Sequence, residues 1–244
     1  MGTYPLIQDT GFVYGYGFFE TIRIYNGRIL FEKQHIDRIL LSAKRWSIHA
    51  PSFEYLSQTV QRYCCEHQLN QAVLNLYITG GDKRQFLHQS DQFACYIQHT
   101  PWEDKGDRIT VALMEDPFVR CELDAYKSLN YFRYAYLKRQ IMAGEERVLM
   151  DGTGRLLEGI SSTVFLIKNH RIYTPALGVI LPGIVRQYVV DCFDVVESVL
   201  TQEDYEQADE IFLTNAIRGI VLTQRSSARS VLVQERYAHD VLAL

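Results

Sequence analysis

One lysine, one carboxylate, a cluster of small hydroxyls and a glycine that opens an amphipathic run follow each other in the second half of this chain. The segments read Lys127-Ser128-Leu129-Asn130-Tyr131, then Leu157-Glu158-Gly159-Ile160-Ser161-Ser162-Thr163, then Ile180-Leu181-Pro182-Gly183-Ile184-Val185-Arg186. A lysine amine kept neutral by burial forms an imine with an aldehyde. A carboxylate facing a pyridine nitrogen keeps that nitrogen protonated, so the ring draws electrons from a carbanion beside it. Hydroxyls, and the free N–H groups and dipole at a helix start, hold a phosphate. Each residue alone has a plainer reading, since Lys127 is one lysine among many and Glu158 ends a strand where water would serve it. Their joint order is what suits pyridoxal 5'-phosphate.

The bulk properties leave room for such an enzyme and remove other classes. The chain has 244 residues with 47% hydrophobic and 22% charged, an ordinary globular composition long enough for one large or two small cores. A formal net charge of -4 supplies no broad positive field, so nucleic acid is not an expected partner. No apolar run approaches the roughly 20 residues that span a bilayer, so neither is a membrane. Met1-Gly2-Thr3-Tyr4-Pro5 lacks the basic and apolar regions of a signal peptide, and a cytoplasmic location is expected. Cys64, Cys65, Cys95, Cys121 and Cys192 have no metal-binding spacing and read as reduced thiols, so no metal is expected.

The elements that must position the chemistry are legible in outline. Residues 18–25 alternate as a strand ending at the Asn26-Gly27 turn, with Phe19, Thr21, Arg23 and Tyr25 on one face and Phe18, Glu20, Ile22 and Ile24 on the other. Ile36, Ile39, Leu40, Ala43 and Trp46 mark a helix whose start carries His35 and Arg38 on one side. A second helix spans 52–66, and strands cover 73–79 and 93–98, joined through Gly80-Gly81-Asp82-Lys83-Arg84. The polar stretch 103–108 is the expected linker between domains 1–102 and 109–244, with a pocket between two α+β halves. In the second half a strand covers 109–114, a helix runs from about 130 to 143, and Gly183 opens another helix.

With these motifs in place, the chain resembles the fold-type IV pyridoxal phosphate enzymes over about residues 14 to 222. The matching segments are Gly17-Phe18-Phe19-Glu20-Thr21-Ile22-Arg23, His35-Ile36-Asp37-Arg38, the lysine segment, Glu158-Gly159 with Ser161, Leu181 to Arg186, and Ala208 to Ala216. The resemblance implies a two-domain α+β fold assembled as a homodimer, with Lys127 as the Schiff-base lysine and Glu158 on the ring nitrogen. It further implies Leu181 packed on the ring and Tyr131 beside the cofactor. Phosphate contacts come from Arg38, Ser161, Gly183, Ile184, Val185, Asn215 and Ala216. The Phe-Glu-Thr-Ile-Arg form is closest to aminodeoxychorismate lyases, which release pyruvate and 4-aminobenzoate for folate synthesis. On that reading Thr21 joins Lys127 in catalysis, and Phe19, Arg23, His35 and Arg84 meet a small amino substrate with carboxylate groups. A D-amino-acid or branched-chain aminotransferase is the alternative, and a non-catalytic relative the third. Tyr16, Thr163 and Arg218 depart from the family pattern, which bears on the substrate more than on the cofactor.

Overall fold

The structure, a computed structural model, describes residues 6–84, 92–106 and 108–243. Met1 to Pro5, and Asp107 of the expected linker, lie outside them. The chain divides into two units, Met1–Glu103 with Tyr126–Tyr131, and Asp104–Ala125 with Phe132–Leu244. The lysine segment thus belongs with the first unit although its neighbours on both sides belong to the second.

Alternation builds the first unit. A short helix α1 (Thr10–Tyr14), capped by Asp9, leads into strand β1 (Gly17–Tyr25). Phe18, Ile22 and Ile24 of β1 are buried, while Phe19, Thr21 and Tyr25 between them are half-buried. After Asn26 and Gly27, both with positive φ as a tight hairpin requires, β2 (Arg28–Ile29) turns back on β1. Helices α2 (Glu32–Arg45) and α3 (Phe53–Glu66) follow, burying Ile36, Ile39 and Ala43 from one and Leu56, Val60 and Cys64 from the other. Strands β3 (Gln71–Thr79) and β4 (Ala94–Pro101) complete an antiparallel sheet of order β2-β1-β3-β4. Along the stretch of β1 that β2 does not cover, the lysine segment pairs instead. Phe19 N donates to Lys127 O and Leu129 N to Gly17 O, each at 2.9 Å, with Ser128 bridged to Phe18.

The second unit is an eight-stranded mixed sheet. It begins with β5 (Arg108–Glu115), the short helix α4 (Phe132–Lys138), β6 (Glu145–Met150) and β7 (Leu156–Gly159). Strands β8 (Thr163–Lys168) and β9 (Arg171–Pro175) precede helix α5 (Ile184–Cys192), then β10 (Val195–Ser198) and α6 (Gln202–Gln207). Strands β11 (Glu210–Asn215) and β12 (Gly219–Thr223) and helix α7 (Ala228–Tyr237) finish it. The strand order is β10-β9-β8-β11-β12-β5-β6-β7. The central strands β8 and β11 are buried almost throughout, as strands covered on both faces are, and Phe165 stacks on Phe212 at 4.9 Å.

Two differences from the sequence reading have local causes. The helix expected over 130–143 is confined to Phe132–Lys138, and the chain turns through Gly144 at a φ of 83°. Helix α6, Gln-Glu-Asp-Tyr-Glu-Gln, has almost no apolar periodicity to find; a capping box between Thr201 and Asp204 starts it.

Candidate active site

In the first unit, pairing with β1 sets Lys127 beside the half-buried face of the strand. Its Nζ lies 4.2 Å from the centre of the Phe19 ring and 5.3 Å from that of Tyr131. Tyr131 meets Phe19 edge-on at 5.1 Å, so two aromatic surfaces flank the amine. The strand register sets Tyr77 beside Phe19 and Asn75 beside Thr21 on the same face. Phe19 and Thr21 therefore share with Lys127 the face that alternation assigned them.

The opposite face carries a buried ionic cluster centred on Glu20, which is 1% exposed. Arg38 forks onto it, Nε to Oε1 at 2.7 Å and a terminal nitrogen to Oε2 at 2.6 Å, and His35 Nδ1 donates to Oε2 at 2.6 Å. Burial alone would raise the Glu20 pKa, but Arg38 and His35 outweigh it and hold the carboxyl down at about 2. Burial lowers the pKa of His35 in spite of that carboxylate, so the ring is neutral at pH 7 with its proton on Nδ1. His35 is thus enclosed, with the Lys127 amine among the charges that act on it.

The other two arginines named from sequence are also engaged. Arg23 is 3% exposed, its guanidinium 3.7 Å above the Trp102 ring and donating to Gln71 at 2.6 Å. Arg84 is open to solvent and forks onto Asp82, with Nε at 2.9 Å from Oδ2.

In the second unit the buried end of β7 presents Glu158. Arg120 and the Tyr134 hydroxyl each donate to Oε1 at 2.8 Å, and Leu181 N donates to Oε2 at 3.1 Å. Arg120 also donates to Asp116 at 2.7 Å. Burial raises the Glu158 pKa, and Arg120, Tyr134 and the Leu181 amide only partly counter it. A carboxylate has about four acceptor positions. The two donors on Oε1 and the one on Oε2 leave a position on Oε2 for one more N–H.

Gly183 caps α5 in extended conformation (φ −65°, ψ 137°), so the N–H groups of Ile184 and Val185 lie in the first turn, where no intrahelical carbonyl takes them. A Cβ on Gly183 would stand 2.8 Å from Thr163 Oγ1, so only glycine lets the helix start approach β8 this closely. Thr163 is cross-strand neighbour to Thr214, whose buried hydroxyl has no hydrogen-bond partner among the described residues. One residue on, Asn215 Oδ1 accepts from the N–H groups of Ile217 and Arg218 at 3.0 and 2.8 Å, shaping the turn that carries Ala216. Ser161 donates its hydroxyl to buried Glu146 at 2.6 Å, so it serves a phosphate only by giving up that contact.

These donors fit pyridoxal phosphate. The open acceptor position on Glu158 matches a protonated ring nitrogen. The glycine-lined helix start and the orphaned Thr214 hydroxyl match a phosphate, which takes several donors at once. Sequence reading missed Arg120, Tyr134, Glu20 and Thr214. Only Glu20 carried a signal, an acid on the apolar side of a strand.

The family model for Amino-transferase class IV matches residues 17–223. A protein of Methanocaldococcus jannaschii provisionally named a branched-chain-amino-acid aminotransferase is 35% identical, over 88% of this chain and 80% of its own. The D-alanine aminotransferase of Bacillus licheniformis is 28% identical, over 88% and 80%. The aminodeoxychorismate lyase of Bacillus subtilis is 28% identical over 87% and 78%. Among solved structures, the branched-chain aminotransferase of the thermophilic archaeon Thermoproteus uzoniensis with norvaline superposes with a TM-score of 0.86 at 20% identity, covering 97% of this chain and 89% of that one. At that identity the likeness is one of fold, the two-domain α+β fold of the type IV class. Members of the class depend on pyridoxal phosphate. With the family model spanning both units, this chain belongs to the class IV aminotransferases.

Proposed function

We propose that the protein is a pyridoxal phosphate-dependent 4-amino-4-deoxychorismate lyase, acting in the cytoplasm to release pyruvate and 4-aminobenzoate for folate synthesis. The observation that carries this reading is the aromatic setting of Lys127, whose amine lies against the rings of Phe19 and Tyr131 on a face that also bears Thr21. Such a surface suits a substrate that is an unsaturated six-membered ring and becomes flat as it aromatises.

Bound pyridoxal phosphate supplies an aldehyde for the substrate's amine and a ring that accepts the electron pair left when a proton is removed. Lys127 would serve as the base for the proton on the substrate ring carbon that bears nitrogen. Glu158, steadied by Arg120, Tyr134 and the Leu181 amide, would face the ring nitrogen of the cofactor and keep it protonated. The substrate's C–O bond then breaks, and Thr21 or Lys127 returns a proton to the departing enolpyruvyl group. The Ile184 and Val185 amides, Thr214, Asn215 and Ala216 would hold the phosphate, with Ser161 and Arg38 as further contacts on giving up part of their bonds to Glu146 and Glu20. Arg84, oriented by Asp82, is the candidate cation for one substrate carboxylate.

The aminotransferase reading is favoured by the 35% identity to the Methanocaldococcus jannaschii protein. Product decides between the two. Cofactor-loaded protein given 4-amino-4-deoxychorismate should release pyruvate with no keto acid present, whereas a strict requirement for a keto-acid acceptor overturns the lyase in favour of the aminotransferase.

A further inference from the structure

The face of β1, β3 and β4 beside Lys127 has a donor that neither the motifs nor the family match singled out. Tyr77 pairs with Phe19 across β1 and β3, and the two rings stack at 6.0 Å. It also pairs with Tyr96 across β3 and β4. The two tyrosines end differently. Tyr96 gives its hydroxyl proton to the buried carboxylate of Asp9 at 2.9 Å, so that hydroxyl belongs to the fold. Tyr77 receives a hydrogen bond from Gln98 Nε2 at 2.7 Å. That bond occupies an acceptor position on the phenol oxygen, fixes its direction, and leaves its own proton to donate away from Gln98.

Charge on the same unit makes this donor matter. The guanidinium of Arg38 is given to Glu20 beneath the sheet, and that of Arg23 is enclosed against Trp102. Arg84 is drawn onto Asp82 at the end of β3. Besides the Lys127 amine, the face beside Phe19 carries neutral polar groups: the Tyr77 and Thr21 hydroxyls, and the amides of Asn75 and Gln98, with Asn75 the register neighbour of both Thr21 and Gln98.

We infer that Tyr77, oriented by Gln98, is a specificity-determining donor that reads the ring carboxylate of the amino substrate on the sheet face beside Lys127. The inference rests on the lyase reading for the chemistry of its ligand. A carboxylate bound by a phenol is favoured over an uncharged group because the hydrogen bond to an anion is the stronger one. Flat ligands lie along the Phe19 and Tyr77 rings, and the hydroxyl decides among them by what they carry at the edge.

The test uses cofactor-loaded protein and two probes, 4-aminobenzoate and aniline, which differ by the carboxylate alone. Inhibition by each is measured for wild type, Tyr77→Phe and Gln98→Ala, with pyruvate release and the cofactor absorbance band followed in the same samples. Losing a hydrogen bond to a charged group should weaken 4-aminobenzoate by about tenfold or more in Tyr77→Phe. Gln98→Ala should weaken it by less, aniline should be unchanged in both, and KM should rise more than kcat falls. Equal weakening of both probes, or none, in Tyr77→Phe overturns the inference. So does a wild-type protein that binds aniline as tightly as 4-aminobenzoate, or that binds neither. Failure of the lyase reading shows separately, as an intact cofactor band with no pyruvate released.

Discussion

Two carboxylates, one in each unit, are equally enclosed and behave oppositely. Glu20 is 1% exposed and Glu158 5%. Each has an arginine and further donors. Glu20 receives both forks of Arg38 as well as His35, and its pKa is held at about 2. Glu158 receives one terminal nitrogen of an arginine shared with Asp116, a neutral phenol and one amide, and its pKa is raised. The difference teaches that burial alone does not define a chemical role. Each receives three donors, so the count does not separate them; a carboxylate gripped by both forks of an arginine is a structural part, committed to one charge. One held by a shared arginine and neutral donors is less compensated for its burial, and a further cationic donor on the open position of Glu158 Oε2 would supply what is missing.

The largest expected effect removes the amine from this comparison. Lys127→Ala should abolish the absorbance band that cofactor gives with the wild-type protein and cut turnover by about 10²–10⁴-fold, the usual contribution of a positioned acid–base group. Retention of the band would sink the assignment of Lys127.

The two glutamate-to-glutamine variants come next and should part company. Glu20→Gln leaves Arg38 without its anion and should destabilise the protein by about 3–5 kcal/mol in urea unfolding. Glu158→Gln leaves Arg120 still paired with Asp116, so stability should change by only about 1 kcal/mol. Turnover should instead fall by about 10²–10³-fold, as when one preorganised electrostatic partner is lost. Equal destabilisation with equal activity loss would erase the distinction.

The smallest effect is in the pH dependence of stability. A carboxyl whose pKa is depressed on folding stabilises the fold above its unfolded value of about 4.3. Glu20 should therefore contribute fully near neutrality and lose its contribution as pH falls toward about 2. Glu158, raised by burial, has the opposite sign: its contribution is present in acid and is lost as pH rises through its folded value. Denaturant melts across pH should show Glu20→Gln flattening the acid limb and Glu158→Gln flattening the decline toward higher pH.

Much of the first unit was legible because its periodicity was clean. Phe18, Ile22 and Ile24 alternate with Phe19, Thr21 and Tyr25, and the Asn26-Gly27 pair fixes the hairpin. Glu20 on the apolar side asked for a cation, and His35 with Arg38 one turn on supplied it. The shell around Glu158 was not legible. Arg120 and Tyr134 come from an irregular stretch and a seven-residue helix, where neither side-chain period applies, and only tertiary packing makes them neighbours. The pairing of Lys127 to Leu129 with β1 was equally hidden, since it joins residues more than a hundred positions apart through backbone atoms that carry no sequence signal.

That pairing makes the two halves poor candidates for separate expression. A fragment cut after Glu103 would keep all four strands of its sheet, yet the start of β1 from Gly17 to Phe19 would lose its outer partner. Bare amide and carbonyl groups beside Phe18 and Phe19 are an invitation to self-association, strand against strand. The recombinant half would be expected to precipitate, and to be rescued by a peptide copying residues 126–131 supplied in trans.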